Sequence, residues 1–255
     1  MQIIDTHAHI YDDIFHNDIE AVINSCLCSH VTKILLPTTN NSDIIRAISF
    51  KKQYTTLCDV MCGIHPNNVT SDIITQQKLL EQYIANYDFI AIGEVGLDFY
   101  KSTTEKELQI KMFKICLSIA NNLSLPVSIH SRNAFEDTYS ILKHHQHGNL
   151  TGVIHCFSGT KEEAKKYIDL GFVLGIGGII TFKNSNLCNE IKNIPLKNIV
   201  LETDSPYLSP HPHRGERNTP ANITFIIEKL SEIYNLPIND IITSTTLTSK
   251  NIFKL

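Results

Sequence analysis

Short β-branched or apolar runs recur along the chain at intervals suited to strand–helix units, at residues 2–7, 33–37, 57–64, 89–94, 126–130, 152–157, 172–177 and 198–203. The segments between them carry helical periodicity instead, most plainly at 105–121 and 162–170. Local punctuation agrees. Thr103 and Thr104 stand ahead of a run rich in Glu and Lys, as at a helix start, and Gly148 and Gly171 follow 143–147 and 168–170, as at helix ends. Strands alternating with helices predict a parallel sheet. Eight such units predict closure into a (β/α)8 TIM barrel. Residues 219–255 predict two further helices, one ending near Asn235 and one starting after Pro237, which complete the outer ring. No linker, charge run, low-complexity segment or repeat breaks the series, so 1–255 is expected to form one domain, and 255 residues suit one barrel.

Composition narrows the picture. Apolar residues make up 42% and charged residues 19%, as in an ordinary soluble globular protein. The net charge of −4 predicts no broad basic face, so a nucleic-acid partner has to be held by a few local groups. Seven cysteines, an odd number, lie scattered in apolar runs (Cys58, Cys62, Cys116, Cys156), which suits buried reduced thiols. The opening MQIIDTHAH has no basic leader with a long apolar stretch, and no later run is long enough to span a bilayer. The expected address is cytoplasmic, with no membrane and no obligate protein partner.

The chemistry gathers at the C-terminal ends of the expected strands, where barrels of this kind place their active sites. The first run ends in Asp5-Thr6-His7-Ala8-His9, and the fourth in Gly93-Glu94-Val95-Gly96-Leu97-Asp98. The fifth ends at His130, the sixth at His155 and the eighth at Glu202-Thr203-Asp204. Residues two apart on a strand share a face, so His7 and His9 can chelate one ion, with Asp5 one step deeper to orient a ligand. The same alternation sets Glu202 beneath Asp204. Four imidazoles with Glu94 and Asp204 exceed the needs of one tetrahedral ion, and two divalent cations sharing Glu94 are the economical arrangement. Mg, Mn and Zn all tolerate such a donor set.

Other residues get plainer readings. His144, His145 and His147 precede Gly148 and suit a helix C-terminus. His16 and His30 are expected on the surface. Cys156 is expected to turn away from the face of His155 and pack as a small hydrophobe. Gly175, Gly177 and Gly178 look like a nucleotide loop, but close packing at the barrel rim explains them better.

With these residues in view, the sequence resembles the TatD family of metal-dependent deoxyribonucleases. The resemblance rests on DTHAHI at 5–10, GIHP at 63–66, IGEVGLDFY at 92–100, IHSRNA at 129–134, HCFSG at 155–159, LETDSPYL at 201–208 and RGERNTPAN at 214–222, in the family's order across nearly the whole chain. It implies an amidohydrolase-type TIM barrel in which His7, His9 and Glu94 hold one metal, Glu94, His130 and His155 hold the second, and Asp204 completes the site. It also implies a 3′–5′ exonuclease acting on DNA, with deacylation of D-aminoacyl-tRNA as the alternative activity. Asn133 stands where the family often has an acid, and His213 stands beside Arg214 in a variable loop; both bear on substrate detail.

The residues read the same way. Two cations can acidify a shared water and clamp the oxygens of a phosphodiester. Asp204 is the candidate general base, and His65, Arg132 and Arg214 are candidate phosphate contacts, though a rim arginine can equally tie loops together. A cyclic-amide hydrolase that bridges its metals with a modified lysine fits poorly, because IGEVG has no lysine and the nearest is Lys101. A retired metal-binding scaffold fits poorly too, because the donor set is intact and is joined by Asp98 and Glu202.

Overall fold

The computed structural model describes residues 2–100, 106–146 and 150–255. Its eight parallel strands neighbour one another in chain order: β1 (Ile3–Asp5), β2 (Val31–Pro37), β3 (Cys58–Cys62), β4 (Ala91–Asp98), β5 (Val127–Arg132), β6 (Gly152–Ile154), β7 (Phe172–Ile176) and β8 (Ile199–Leu201). The helices between and after them are α1 (Ile19–Cys28), α2 (Asn41–Gln53), α3 (Ile73–Asn86), α4 (Lys106–Leu123), α5 (Phe135–His145), α6 (Lys161–Asp169), α7 (Leu187–Ile191), α8 (Ile223–Tyr234) and α9 (Ile238–Phe253). The expected helix start at Thr103 and Thr104, the stop at Gly148, and His147 and Lys101 lie outside the described residues. Gly171 ends α6 with φ of 90°, a conformation that glycine alone adopts at little cost.

Alternation along the strands separates two cores. Ile34 and Leu36 of β2 join a large cluster with helix residues such as Val22, Ile44, Leu80 and Met112. Leu35, between them, packs instead with Met61, Ala91, Val153, Val173, Val200 and Phe253. That second set is the inside of the barrel, filled by layered side chains and plugged by α9 through Phe253. Inward positions continue two residues at a time from it: Val153 leads to His155, Val173 to Gly175, and Val200 to Glu202.

Strand bounds depart from the sequence expectation where the chemistry lies. β1, β6 and β8 stop at Asp5, Ile154 and Leu201, short of the expected 7, 157 and 203. Beyond β1 and β8 the chain bonds across the gap between those two strands. Thr6 N–H donates to Leu201 O (2.9 Å), Asp204 N–H to His7 O (2.9 Å) and His9 N–H to Ser205 O (2.7 Å). The residues that carry His7, His9 and Asp204 are thus the seam that closes the barrel.

Candidate metal centre

Glu94 reaches the centre through an irregularity. From inward Ala91, strict alternation would turn Glu94 outward. The β4–β5 register shifts between Ile92 and Val95, and both of these pack outside. The extra residue re-aims the strand and puts Glu94 inside, as β-bulges do near functional sites. Close approach follows at Gly96, where φ is 141° and a Cβ would lie 2.0 Å from His130 O, so only glycine lets β4 lie this close to β5.

Five imidazoles and Asp204 surround the Glu94 carboxylate. Oε1 lies 3.0 Å from His130 Nδ1, 3.6 Å from His65 Nε2 and 3.7 Å from His155 Nε2. Oε2 lies 3.5 Å from His7 Nε2 and 3.7 Å from His9 Nε2. Asp204 Oδ1 faces His7, His9 and His155 at 3.8, 3.7 and 3.8 Å. Two His/His/carboxylate triads therefore share Glu94, one with His7 and His9 and one with His130 and His155. A third group, His7 with His155 and Asp204, links them across the top.

Each of the four expected ligand histidines has its other ring nitrogen held from outside. His7 Nδ1 meets Ser128 Oγ at 3.3 Å, and His130 Nε2 meets Asp98 Oδ2 at 3.2 Å. His155 Nδ1 lies 3.1 Å from Glu202 Oε1, which also accepts the Cys156 N–H at 2.5 Å. Tyr11 spends its single hydroxyl proton on Pro37 O (2.7 Å), so its oxygen accepts from His9 Nδ1–H (3.3 Å). That fixes the tautomer that leaves His9 Nε2 free to face the centre. Outer partners of this kind orient metal-ligating histidines. The sequence reading gave no role to Ser128 or Tyr11 and counted Asp98 only as an acid beside the donor set; inward parity from His130 was the one signal that could have found Ser128.

Asp5 sits behind the ligand residues and acts on their backbone. Its buried carboxylate accepts from His7 N–H (3.2 Å), Thr203 N–H (3.0 Å) and the Thr203 hydroxyl (2.6 Å). It fixes the backbone of both ligand-bearing loops, not an imidazole. Burial pushes its pKa up to about 7 against those three bonds. Glu202 is fully buried beside His155, its Oε1 3.1 Å from Nδ1; the strand alternation that set it beneath Asp204 ends before Asp204, whose φ is 57°.

The charges are mutually arranged. Burial raises the Glu94 and Asp204 carboxyls, but facing histidines outweigh it and hold both below the usual carboxylate range. Burial lowers His155, yet Glu202, Asp204 and Glu94 lift it to about 10. His9 and His130 are also raised, burial being outweighed by Asp204 for the first and by Asp98 and Glu94 for the second. Burial and the neighbouring His155 depress His7.

A cavity of about 710 Å³ opens above this centre, walled by Tyr11, Asp43, His65, Arg132, Ser158 and Tyr207 among others. His65 is here a donor. Its Nδ1 accepts the Asn67 N–H (3.1 Å), so the neutral ring carries its proton on Nε2, and burial pushes its pKa down to about 4. Arg132 lies with its guanidinium 3.8 Å above the Tyr100 ring. Arg214 is not brought into this wall. It stacks 3.8 Å over Phe182 and donates to Ser209 O (3.2 Å), which ties loops together. Cys156 corrects another expectation. The strand has ended at Ile154 and Cys156 takes φ of 49°, so alternation no longer turns it away and it lines the cavity. Burial keeps its thiol well above its ordinary pKa, so it is no thiolate. Gly175 and Gly178 are packing glycines as expected; a Cβ would lie 2.1 Å from Glu202 Oε2 at the first and 2.1 Å from Leu208 O at the second.

The donor set suits divalent cations. His7 Nε2 is buried without a hydrogen-bond partner while facing two carboxylates, an arrangement that costs free energy unless a cation or proton lies between. Imidazole nitrogens and carboxylate oxygens in overlapping triads are a metal-binding chemistry. Fold and site together define a metal-dependent hydrolase built on a (β/α)8 barrel. The chain belongs to the TatD family: the family described as TatD related DNase matches residues 4–254. The metal-dependent hydrolase BU355 of Buchnera aphidicola subsp. Acyrthosiphon pisum is 37% identical over the whole of both chains. The metal-dependent hydrolase YabD of Bacillus subtilis is 32% identical over 99% of each. The crystal structure of the TatD homologue YjjV from Escherichia coli superposes with a TM-score of 0.92 at 27% identity, covering 99% of this chain and 98% of that one. Among the described residues no helix is long and apolar enough to cross a membrane.

Proposed function

We propose that the chain is a phosphodiesterase that removes nucleotides from the 3′ end of DNA with the help of two divalent cations. The observation that carries this reading is the pair of triads sharing Glu94. His7, His9 and Glu94 hold one cation, Glu94, His130 and His155 the other, and Asp204 completes the site. Bound there, the cations supply Lewis-acid polarisation of the phosphodiester and acidify water. The family's description as DNases supports DNA as the substrate.

The chain's own groups do the rest. Arg132, held flat on Tyr100, presents its N–H edge to a phosphate oxygen. His65 donates its Nε2 proton to an oxygen of the same phosphate. The Asp204 carboxylate, kept ionised by the facing histidines, takes the proton of the attacking water. The water oxygen bonds to phosphorus as the bond to the preceding 3′ oxygen breaks. That oxygen takes up the proton Asp204 accepted and leaves as a 3′-hydroxyl, which restores the carboxylate, and a nucleoside 5′-phosphate is released. Asp5 and Glu202 hold the loops and His155 in place throughout.

The test is end-resolved. Chelated and then Mg-, Mn- or Zn-reconstituted protein is given a single oligonucleotide labelled at its 5′ end. The expected product is a ladder shortening by single nucleotides, absent before reconstitution. Internal cuts, or loss from the 5′ end first, would overturn the polarity.

A further inference from the structure

Tyr207 stands at the mouth of the cavity, three residues after Asp204. Its side chain is 55% exposed and lines the cavity. Its backbone, in contrast, is pinned. Tyr207 N–H donates to Asp204 O (2.8 Å). The buried Asn218 gives its amide protons to Tyr207 O (2.7 Å) and Thr203 O (2.8 Å). The His9 ring meets the Tyr207 ring edge-on, with centroids 6.0 Å apart and planes at 69°. An aromatic ring left open to solvent on a clamped backbone contributes little to the fold, and it is presented in one place beside the reacting centre. Arg132 stands elsewhere in the same wall as a fixed cation.

We infer that Tyr207 is the platform on which the nucleobase beside the cleaved bond stacks. The inference rests on the nuclease reading and adds to it a specificity-determining residue. Every base offers a π-face, so such a platform grips a strand end without choosing a sequence. It also suits a chain of net charge −4, for which uncharged contacts add grip on an acidic strand. A base can reach the ring only when it is splayed from its partner, so the platform takes an unpaired end.

The experiment uses the full metal-loaded chain and two single-stranded deoxyoligonucleotides, one intact and one carrying an abasic tetrahydrofuran residue at its 3′ end. The readout is the ratio of kcat/KM for the two, which general damage to the site does not move. The parent chain should favour the intact end by about 5- to 150-fold, the contribution of one stacked base. In Tyr207→Ala that ratio should collapse towards one, and Tyr207→Phe should restore it. A ratio that survives in Tyr207→Ala, or a parent that makes no distinction, overturns the platform while leaving the nuclease reading intact. Failure of the parent to cut either oligonucleotide overturns the nuclease reading and the platform with it.

Discussion

Replacing Gly175 by alanine should damage the metal centre without touching any of its ligands. The added Cβ would lie 2.1 Å from Glu202 Oε2 and 2.7 Å from Glu202 Cδ. Because Cδ is also too near, rotating the carboxylate gives no relief, and the group has to retreat by roughly 1.5 Å to reach ordinary contact. Glu202 is fully buried and accepts the Cys156 N–H through Oε1, so retreat strains that bond and lifts the carboxylate from His155. Overpacking of this kind costs about 1–3 kcal/mol. Weakening a hydrogen bond to a charged group adds about 1.5–3 kcal/mol. For a chain of this size the sum lowers Tm by roughly 10 °C. With His155 no longer braced, metal affinity should fall about 10- to 100-fold. The assays are thermal melting of chelated protein and calorimetric metal titration, repeated in a Glu202→Ala background. There the clash is absent and Gly175→Ala should be nearly silent. A single Gly175→Ala variant that melts within about 2 °C of the parent and binds metal equally would refute the reasoning.

Three further outcomes follow from the same geometry. Asp204→Asn keeps the shape but removes the basicity, so single-turnover hydrolysis should fall about 10²–10⁴-fold while the melt stays normal; retention of most of the rate would move the base elsewhere. Tyr11→Phe removes the acceptor that fixes the His9 tautomer, and metal affinity measured against a competing chelator should drop about 10-fold, while loss of the bond to Pro37 O lowers the metal-free melt by only a few degrees. The third concerns pH. His155 is raised from 6.5 to about 10 in the folded chain, so its contribution to metal-free stability is full below 6.5 and is lost as pH rises through about 10. Metal-free Tm should therefore carry a falling component over that window, flattened in Glu202→Gln, while metal affinity rises with pH as protons leave the imidazoles.

All eight strands and the closing pair of helices were legible in the sequence, because buried parallel strands write themselves as apolar runs. Their ends were not. Residues 6–7 and 202–203 fall inside the expected runs, but their hydrogen bonds belong to the seam between β1 and β8, a long-range pairing that no local pattern reports, and Asp204 beyond them takes a positive φ of 57°. The same limit explains Cys156, whose positive φ breaks the parity that was extrapolated to it. Glu94 was identified by its chemistry, although alternation from Ala91 would have pointed it outward; the bulge that reverses this leaves only GEVG as a trace. The histidines and Asp204 could be read because unusual residues at strand ends are conspicuous. Tyr11 could not, and Ser128 only as an inward position two before His130, since a serine and a tyrosine become partners of a ring nitrogen only once the barrel has closed. Arg214 shows the converse: a cation in a rim loop has no local mark that separates phosphate binding from loop tying, and Phe182 and Ser209 decide it in three dimensions.

The account turns on two cations sharing Glu94. Anomalous diffraction from crystals grown with Mn tests it most directly, read together with phosphodiesterase activity before and after chelation. Two peaks should appear, one between His7, His9 and Glu94 and one between Glu94, His130 and His155, with hydrolysis lost on chelation and regained on adding metal back. A single peak or none, with activity indifferent to chelation, would contradict it.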